Sequence, residues 1–72
     1  MRGGDFLNTN AFKAAMVYNG DTQATTAEFL GISRVALSEK LNQKYDFRLP
    51  EIKMLCERWK LTADQVFEIF IK

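Results

Sequence analysis

The stretch Thr25–Asn42, TTAEFLGISRVALSEKLN, decides the fold of this chain. It has the layout of a helix, a turn of three or four residues and a second helix. Gly31 can take the left-handed conformation that ends a helix, because it has no Cβ to clash. Ser33 is a good N-cap for the helix that follows. The small side chain of Ala27, four residues before the glycine, would let the two helices cross closely.

The second helix of this stretch has one apolar and one polar side. Leu37 and Leu41 are four residues apart, so we expect both in the core, together with Ile32 from the turn. In a helix-turn-helix that reads DNA, the second helix lies in the major groove with its N-terminal residues at the base edges. The outward side would carry Arg34, Val35, Ser38, Glu39 and Asn42.

Two runs of this sequence carry a family resemblance. LGISRVALSEKLN, residues 30–42, resembles the helix-turn-helix of the Cro and repressor proteins of temperate phages. LPEIKMLCERWKLTADQVFEIF, residues 49–70, resembles the two helices that follow it in small phage regulators of that family. The likeness covers residues 10–71 and implies an all-α, compact five-helix bundle of the phage repressor-like DNA-binding fold. The chain is also similar to the small antirepressors, or modulators of repression, of lactococcal phages.

The sequence departs from the family pattern at two positions of the first motif helix. Thr26 stands where the family usually has Leu or another aliphatic residue. Phe29 stands where relatives usually carry a polar residue. Two interpretations of Phe29 stay open: it packs on a neighbouring helix, or it is an exposed aromatic that anchors a protein partner.

Periodicity predicts five helices in all. The first has the apolar stripe Phe12, Ala15 and Met16, and the fourth has Ile52, Leu55, Cys56 and Trp59. Their predicted ranges are residues 10–19, 22–30, 34–44, 50–60 and 62–71, with N-caps at Thr22, Ser33 and Thr62.

The connections and the last helix add three expectations. Phe47, in the loop of residues 45–49, should plug the core, and Pro50 should be the first residue of the fourth helix. In the fifth helix, Thr62 and Gln65 form a capping box. Its inward stripe should be Ala63, Val66, Phe67 and Phe70, with Ile69 and Ile71 pointing elsewhere. The apolar last turn either closes the core or forms a dimer seam or a partner surface, and we take Ile69 and Ile71 as candidate partner contacts.

Length and composition limit the classes of protein. Seventy-two residues make one domain with a small core. We divide it into a flexible N-terminal arm, residues 1–9, and a helix-turn-helix domain, residues 10–72. One cysteine and no histidine exclude an internal disulfide and leave almost no zinc ligands. No apolar run approaches the roughly 18 residues of a membrane span. With the resemblance, this predicts a protein of the bacterial host cytoplasm with no membrane partner, metal or cofactor.

The net charge of +1 is low for a protein that binds DNA. Residues 33–48 hold a modest basic excess, on and just after the second motif helix, where phosphate contacts are expected. The basic residues there are Arg34, Lys40, Lys44 and Arg48, and the acidic ones are Glu39 and Asp46.

Catalysis is not expected, because the sequence has no glycine-rich phosphate loop, no metal-ligand cluster and no nucleophile with a base. The first functional hypothesis is a Cro-like repressor that binds operator DNA by itself. Arg34 would contact guanine and Val35 a thymine methyl. Phosphates would be held by Gln23, at the start of its helix, and by Asn42 and Lys44. The alternative interpretation of each is an exposed polar residue with no binding role.

The second hypothesis is an antirepressor that binds a phage repressor and modulates its DNA binding. A mixed-charge face with an apolar centre suits protein better than phosphate. Glu39 could accept a hydrogen bond from cytosine N4, but its carboxylate would also repel phosphates. We favour this hypothesis on charge, with operator DNA as a further partner and a homodimer left open. A third hypothesis is a five-helix interaction module with no role at operators. The predicted binding residues are Gln23, Ser33, Arg34, Val35, Ser38, Glu39, Asn42 and Lys44, with Phe29, Ile69 and Ile71 as apolar partner contacts.

Overall fold

A computed structural model of the chain describes residues 7–71. These residues form five helices and no strand, which confirms the predicted all-α class. The longest helix has 11 residues, and none of the described helices has the length and apolarity that a bilayer crossing needs. The helices are α1 Thr9–Tyr18, α2 Gln23–Leu30, α3 Arg34–Leu41, α4 Leu49–Trp59 and α5 Ala63–Val66, and α5 continues as a π-helical segment, Phe67–Ile71.

The helix starts follow local capping chemistry. The side chains of Thr22 and Ser33 accept hydrogen bonds from the backbone N–H groups of Thr25 and Ala36, as predicted. Thr62 forms the predicted capping box, in which its side chain accepts from the Gln65 backbone and its own N–H donates to the Gln65 side chain. These bonds satisfy backbone donors that a helix start would otherwise leave unpaired.

The connection between α2 and α3 is a tight turn centred on Gly31. Gly31 has φ of 75°, the left-handed conformation expected for it. The N–H of Ile32 donates to the carbonyl of Ala27 over 3.0 Å, which closes the end of α2. Leu37 and Leu41 of α3 are both buried, so the inward side of this helix is as predicted.

The core is built around the ring of Phe12, which is completely buried. Phe47 stacks on it at 5.1 Å between ring centroids, and Trp59 meets it edge-on at the same distance. Phe70 adds a second edge contact at 6.1 Å. Four segments distant in sequence therefore meet at one side chain, and Phe47 fills the core as predicted.

Each predicted helix range differs from the structure at one end or both, by one residue everywhere except at the end of α3. Helix α3 ends at Leu41 rather than at Lys44, because Asn42 is its C-cap and Gln43 has a positive φ of 63°. Helix α4 begins at Leu49, one residue before Pro50. There the N–H of Arg48 donates to Oε1 of Glu51 over 2.8 Å, and this cap outweighs the bias of a residue before proline away from helix.

The inward stripe of the last helix was predicted correctly for Phe70, which packs on the core, and wrongly for Ala63 and Phe67, which are exposed. Phe67 is 59% exposed, whereas Ile69, predicted as a partner contact, is 4% exposed and belongs to the core. The reason is the π-helical segment, Phe67–Ile71, because a π turn holds more residues than an α turn and rotates the side chains that follow it. Ile71 is exposed, as expected.

The start of α1 is joined to the rest of the domain. The N–H of Asn8 donates to the carbonyl of Ile69 over 2.8 Å, and Oγ1 of Thr9 donates to the carbonyl of Leu41 over 2.7 Å. The Gln43 side chain donates to the carbonyl of Leu7. Residues 7–9 are thus attached to the helical domain, and the rest of the predicted arm, residues 1–6, lies outside the described residues.

Candidate functional site

The outward side of α3 brings together most of the predicted binding residues. We call this surface the α3 face, formed by Arg34, Val35, Ser38, Glu39 and Asn42. Arg34 and Asn42 are exposed, Val35 is 68% exposed, and Ser38 and Glu39 are half-buried. Ser33 caps the helix through its side chain, so its hydroxyl is committed to the backbone of Ala36.

Lys40 does not belong to this surface. Its Nζ lies 3.2 Å from Oε1 of Glu51 and donates to the carbonyl of Asp46 over 3.0 Å. The ammonium also lies 5.7 Å from the ring centroid of Phe47. The Lys40 side chain is only 11% exposed. The predicted basic patch therefore loses one cation, which instead joins α3 to the loop and to α4.

The remaining charges around α3 nearly cancel. Three cations stay exposed between residues 33 and 48, namely Arg34, Lys44 and Arg48. They share this region with Glu39 and Asp46. Lys44 follows the end of α3 and lies in the loop, not on the helix as predicted. Neutralisation of phosphates supplies most non-specific DNA affinity, so the charge of this surface favours DNA binding only weakly.

Gln23 is half-buried at the first position of α2, where the helix dipole would favour an anion. A carboxylate already lies beside this helix start, because Oδ1 of Asp21 accepts a hydrogen bond from Oγ1 of Thr25 over 2.9 Å. That carboxylate is buried, and the phosphate contact of Gln23 stays a prediction.

Asp21 is the centre of a buried polar cluster that the sequence analysis did not predict. Nε and Nη2 of Arg58 each donate to the carboxylate over 2.9 Å, and Nε1 of Trp59 donates over 2.7 Å. These donors, Arg58 first, hold the pKa of Asp21 well below its usual range, although burial acts in the opposite direction. The cluster attaches the end of α4 to the turn before α2, and no local sequence signal pairs residues so far apart.

Phe29 is covered by the same arginine. The Cζ atom of Arg58 lies 4.5 Å from the centroid of the Phe29 ring, a cation–π contact. The ring is half-buried and packs against the core. This arrangement favours the packing interpretation of Phe29 over that of an exposed anchor.

Other large apolar side chains are exposed outside the α3 face. Tyr45 and Leu49 flank the loop after α3, and Phe67 and Ile71 lie on the π-helical segment. Among residues 7–71, no cluster of three or more His, Cys, Asp or Glu could hold a metal ion. Cys56 is half-buried, and burial together with the nearby charge of Glu57 raises the pKa of its thiol, which disfavours a reactive thiolate.

No protein-family model, curated protein or solved structure matches this chain.

Proposed function

We propose that this chain is a helix-turn-helix regulator of a phage switch between lysis and lysogeny, and that it acts as an antirepressor. Its α3 face would bind the partner repressor and modulate the repressor's DNA binding. Helix α2, the Gly31 turn and α3 would form the motif, in keeping with the likeness of residues 30–42 to Cro and repressor proteins. The role is non-enzymatic and belongs in the cytoplasm of the bacterial host.

One observation carries the choice of a protein partner over DNA: the withdrawal of Lys40 from the α3 face. Without Lys40, exposed Arg34 and Val35 lie beside Glu39, so the face combines one cation, one carboxylate and an apolar centre. Such a mixture is typical of protein interfaces. A DNA-reading helix with so few neighbouring cations would release few counterions on binding.

The alternative function is a Cro-like repressor that binds operators by itself. It is supported by Arg34, which is exposed at the start of α3. Arginine there could pair with guanine in the major groove. Within residues 33–48, the exposed cations are Arg34, Lys44 and Arg48, so the contribution of this region to the slope of log K against log salt concentration would be about −3 or shallower. DNA binders with six to ten phosphate contacts have much steeper slopes.

The deciding experiment is a gel-shift titration on the DNA of the phage switch region at low salt, with and without the neighbouring repressor. We expect no specific shift by this protein alone and loss of the repressor's shift when it is added. Arg34→Ala should weaken that loss, while Lys53→Ala, an exposed α4 residue away from the α3 face, should not. A specific shift by the protein alone would replace the antirepressor mechanism with the Cro-like one.

A further inference from the structure

A groove of about 850 Å³ runs along α1, between that helix and the corner where α4 meets α5. Its two ends can be located from hydrogen bonds. Ile69, which lines the groove, accepts from Asn8 at the start of α1. Trp59, which also lines it, donates to Asp21, just beyond the end of α1. The groove therefore follows the whole length of α1.

The α1 side of this groove is apolar and sterically open. Ala11, Ala14 and Ala15 line it, so a second helix could approach the α1 backbone within the 8–10 Å that separates packed helices. Tyr18 stands at the end of the same side and is 90% exposed, the largest exposed fraction of any large apolar side chain in residues 7–71. The only charged residue of α1 is Lys13.

The groove carries opposite charges at its two ends. Glu68 precedes Ile69, at the end beside the start of α1, and Lys60 follows Trp59, at the other end. Both side chains are exposed, and neither forms an ion pair with any residue of the described chain. A two-fold axis across the middle of α1 would exchange the two ends, so Glu68 of one copy would meet Lys60 of the other, twice.

We infer that the partner of this groove is a second copy of the chain, with the two α1 helices packed antiparallel across the two-fold axis. A groove with charges of one sign would fit a partner of the opposite sign. The guanidinium of Arg58, which also lines this groove, is already paired with Asp21. That leaves, among the described residues that line it, one unpaired charge of each sign at opposite ends, so the groove is complementary to itself. Tyr18 of each copy covers the Ala11 and Ala14 surface of the other, and Lys60 and Glu68 pair at both ends.

This dimer does not depend on the proposed function. The groove is lined by α1, α4 and α5 and by none of the α3 face residues. A contact along one short helix is small, so we expect a dissociation constant on the order of micromolar. The regulator would then be monomeric or dimeric according to its concentration.

A charge-swap cycle tests the inference by sedimentation velocity, from low micromolar to near-millimolar protein. We expect the unmodified chain to pass from monomer to dimer over this range. Lys60→Glu and Glu68→Lys should each weaken dimerisation by about tenfold or more, because symmetry repeats each like-charge contact twice. The double variant, Lys60→Glu with Glu68→Lys, should restore it, and Tyr18→Ser should weaken it without altering charge.

Two exposed α4 residues away from the groove provide matched controls, Lys53→Glu and Glu57→Lys, and both should dimerise like the unmodified chain. Urea unfolding of every variant would show that the monomer still folds. A chain that stays monomeric at every concentration would overturn the inference. So would a dimer whose dissociation constant is unchanged by the single swaps, or one that the double swap does not restore. Arg34→Ala should leave the dimer unchanged. The dimer and the antirepressor role can therefore be contradicted independently of each other.

Discussion

The carboxylate of Asp21 receives two hydrogen bonds of 2.9 Å from the guanidinium of Arg58, which lies 37 residues later in the chain. The same guanidinium covers the Phe29 ring. One arginine at the end of α4 thus contacts both the turn that precedes α2 and the far end of α2 itself. The position of α2, and through the Gly31 turn that of α3, depends on this contact.

Asp21→Asn should lower the free energy of unfolding by about 2 kcal/mol, because it removes a charged partner from Arg58 and weakens the acceptor for Trp59. Half-exposed Arg58 can rehydrate in part, which keeps the loss below that of a fully buried pair. Urea unfolding would measure the change. Asp46→Asn, in an exposed loop position, is the matched control and should stay within about 0.5 kcal/mol.

The same carboxylate should make stability depend on acid pH. The pKa of Asp21 is lower in the folded chain than in the unfolded chain, chiefly because of Arg58. Below the unfolded value of about 3.9, the unfolded chain therefore binds more protons, and stability falls as pH falls. Unfolding free energies between about pH 5 and pH 2 should decline more steeply for the unmodified chain than for Asp21→Asn. Parallel curves would contradict the role given to Asp21.

Thr26→Val should stabilise the protein by about 1 kcal/mol. The Thr26 side chain is completely buried, and its hydroxyl has no hydrogen-bond partner. Valine has nearly the same shape without a polar group to desolvate. Its neighbour provides the contrast, because the hydroxyl of Thr25 donates to Asp21 and accepts from Thr22. Thermal or urea unfolding should show that Thr25→Val is destabilising, and equal effects at the two positions would count against this account.

Lys40→Met should lower stability by about 1 to 3 kcal/mol, because it leaves the Glu51 carboxylate, 12% exposed as a side chain, without its cation. It should leave the salt dependence of any DNA binding unchanged, since Lys40 does not face outward. Lys44→Met should do the reverse, with stability kept and the salt slope made shallower by about 1. Urea unfolding together with DNA titrations at several salt concentrations would separate the two lysines.

The sequence by itself determined the features that depend on residues three or four positions apart. The caps at Thr22, Ser33 and Thr62 and the left-handed turn at Gly31 are such features, because each is satisfied within one turn of helix. The inward position of Leu37 and Leu41 follows from the helical period in the same way.

Only the tertiary structure decided which charges remain outside. The sequence places Lys40 in a basic patch, but α4 brings Glu51 to it. The contacts of Asp21 with Arg58 and Trp59 have no signal in the neighbouring sequence. The exchange of Phe67 for Ile69 in the core depends likewise on a π turn. Helical period and capping report on neighbours in sequence, whereas these contacts join segments that packing alone brings together. The candidate binding face was therefore predictable in position, and its charge was not.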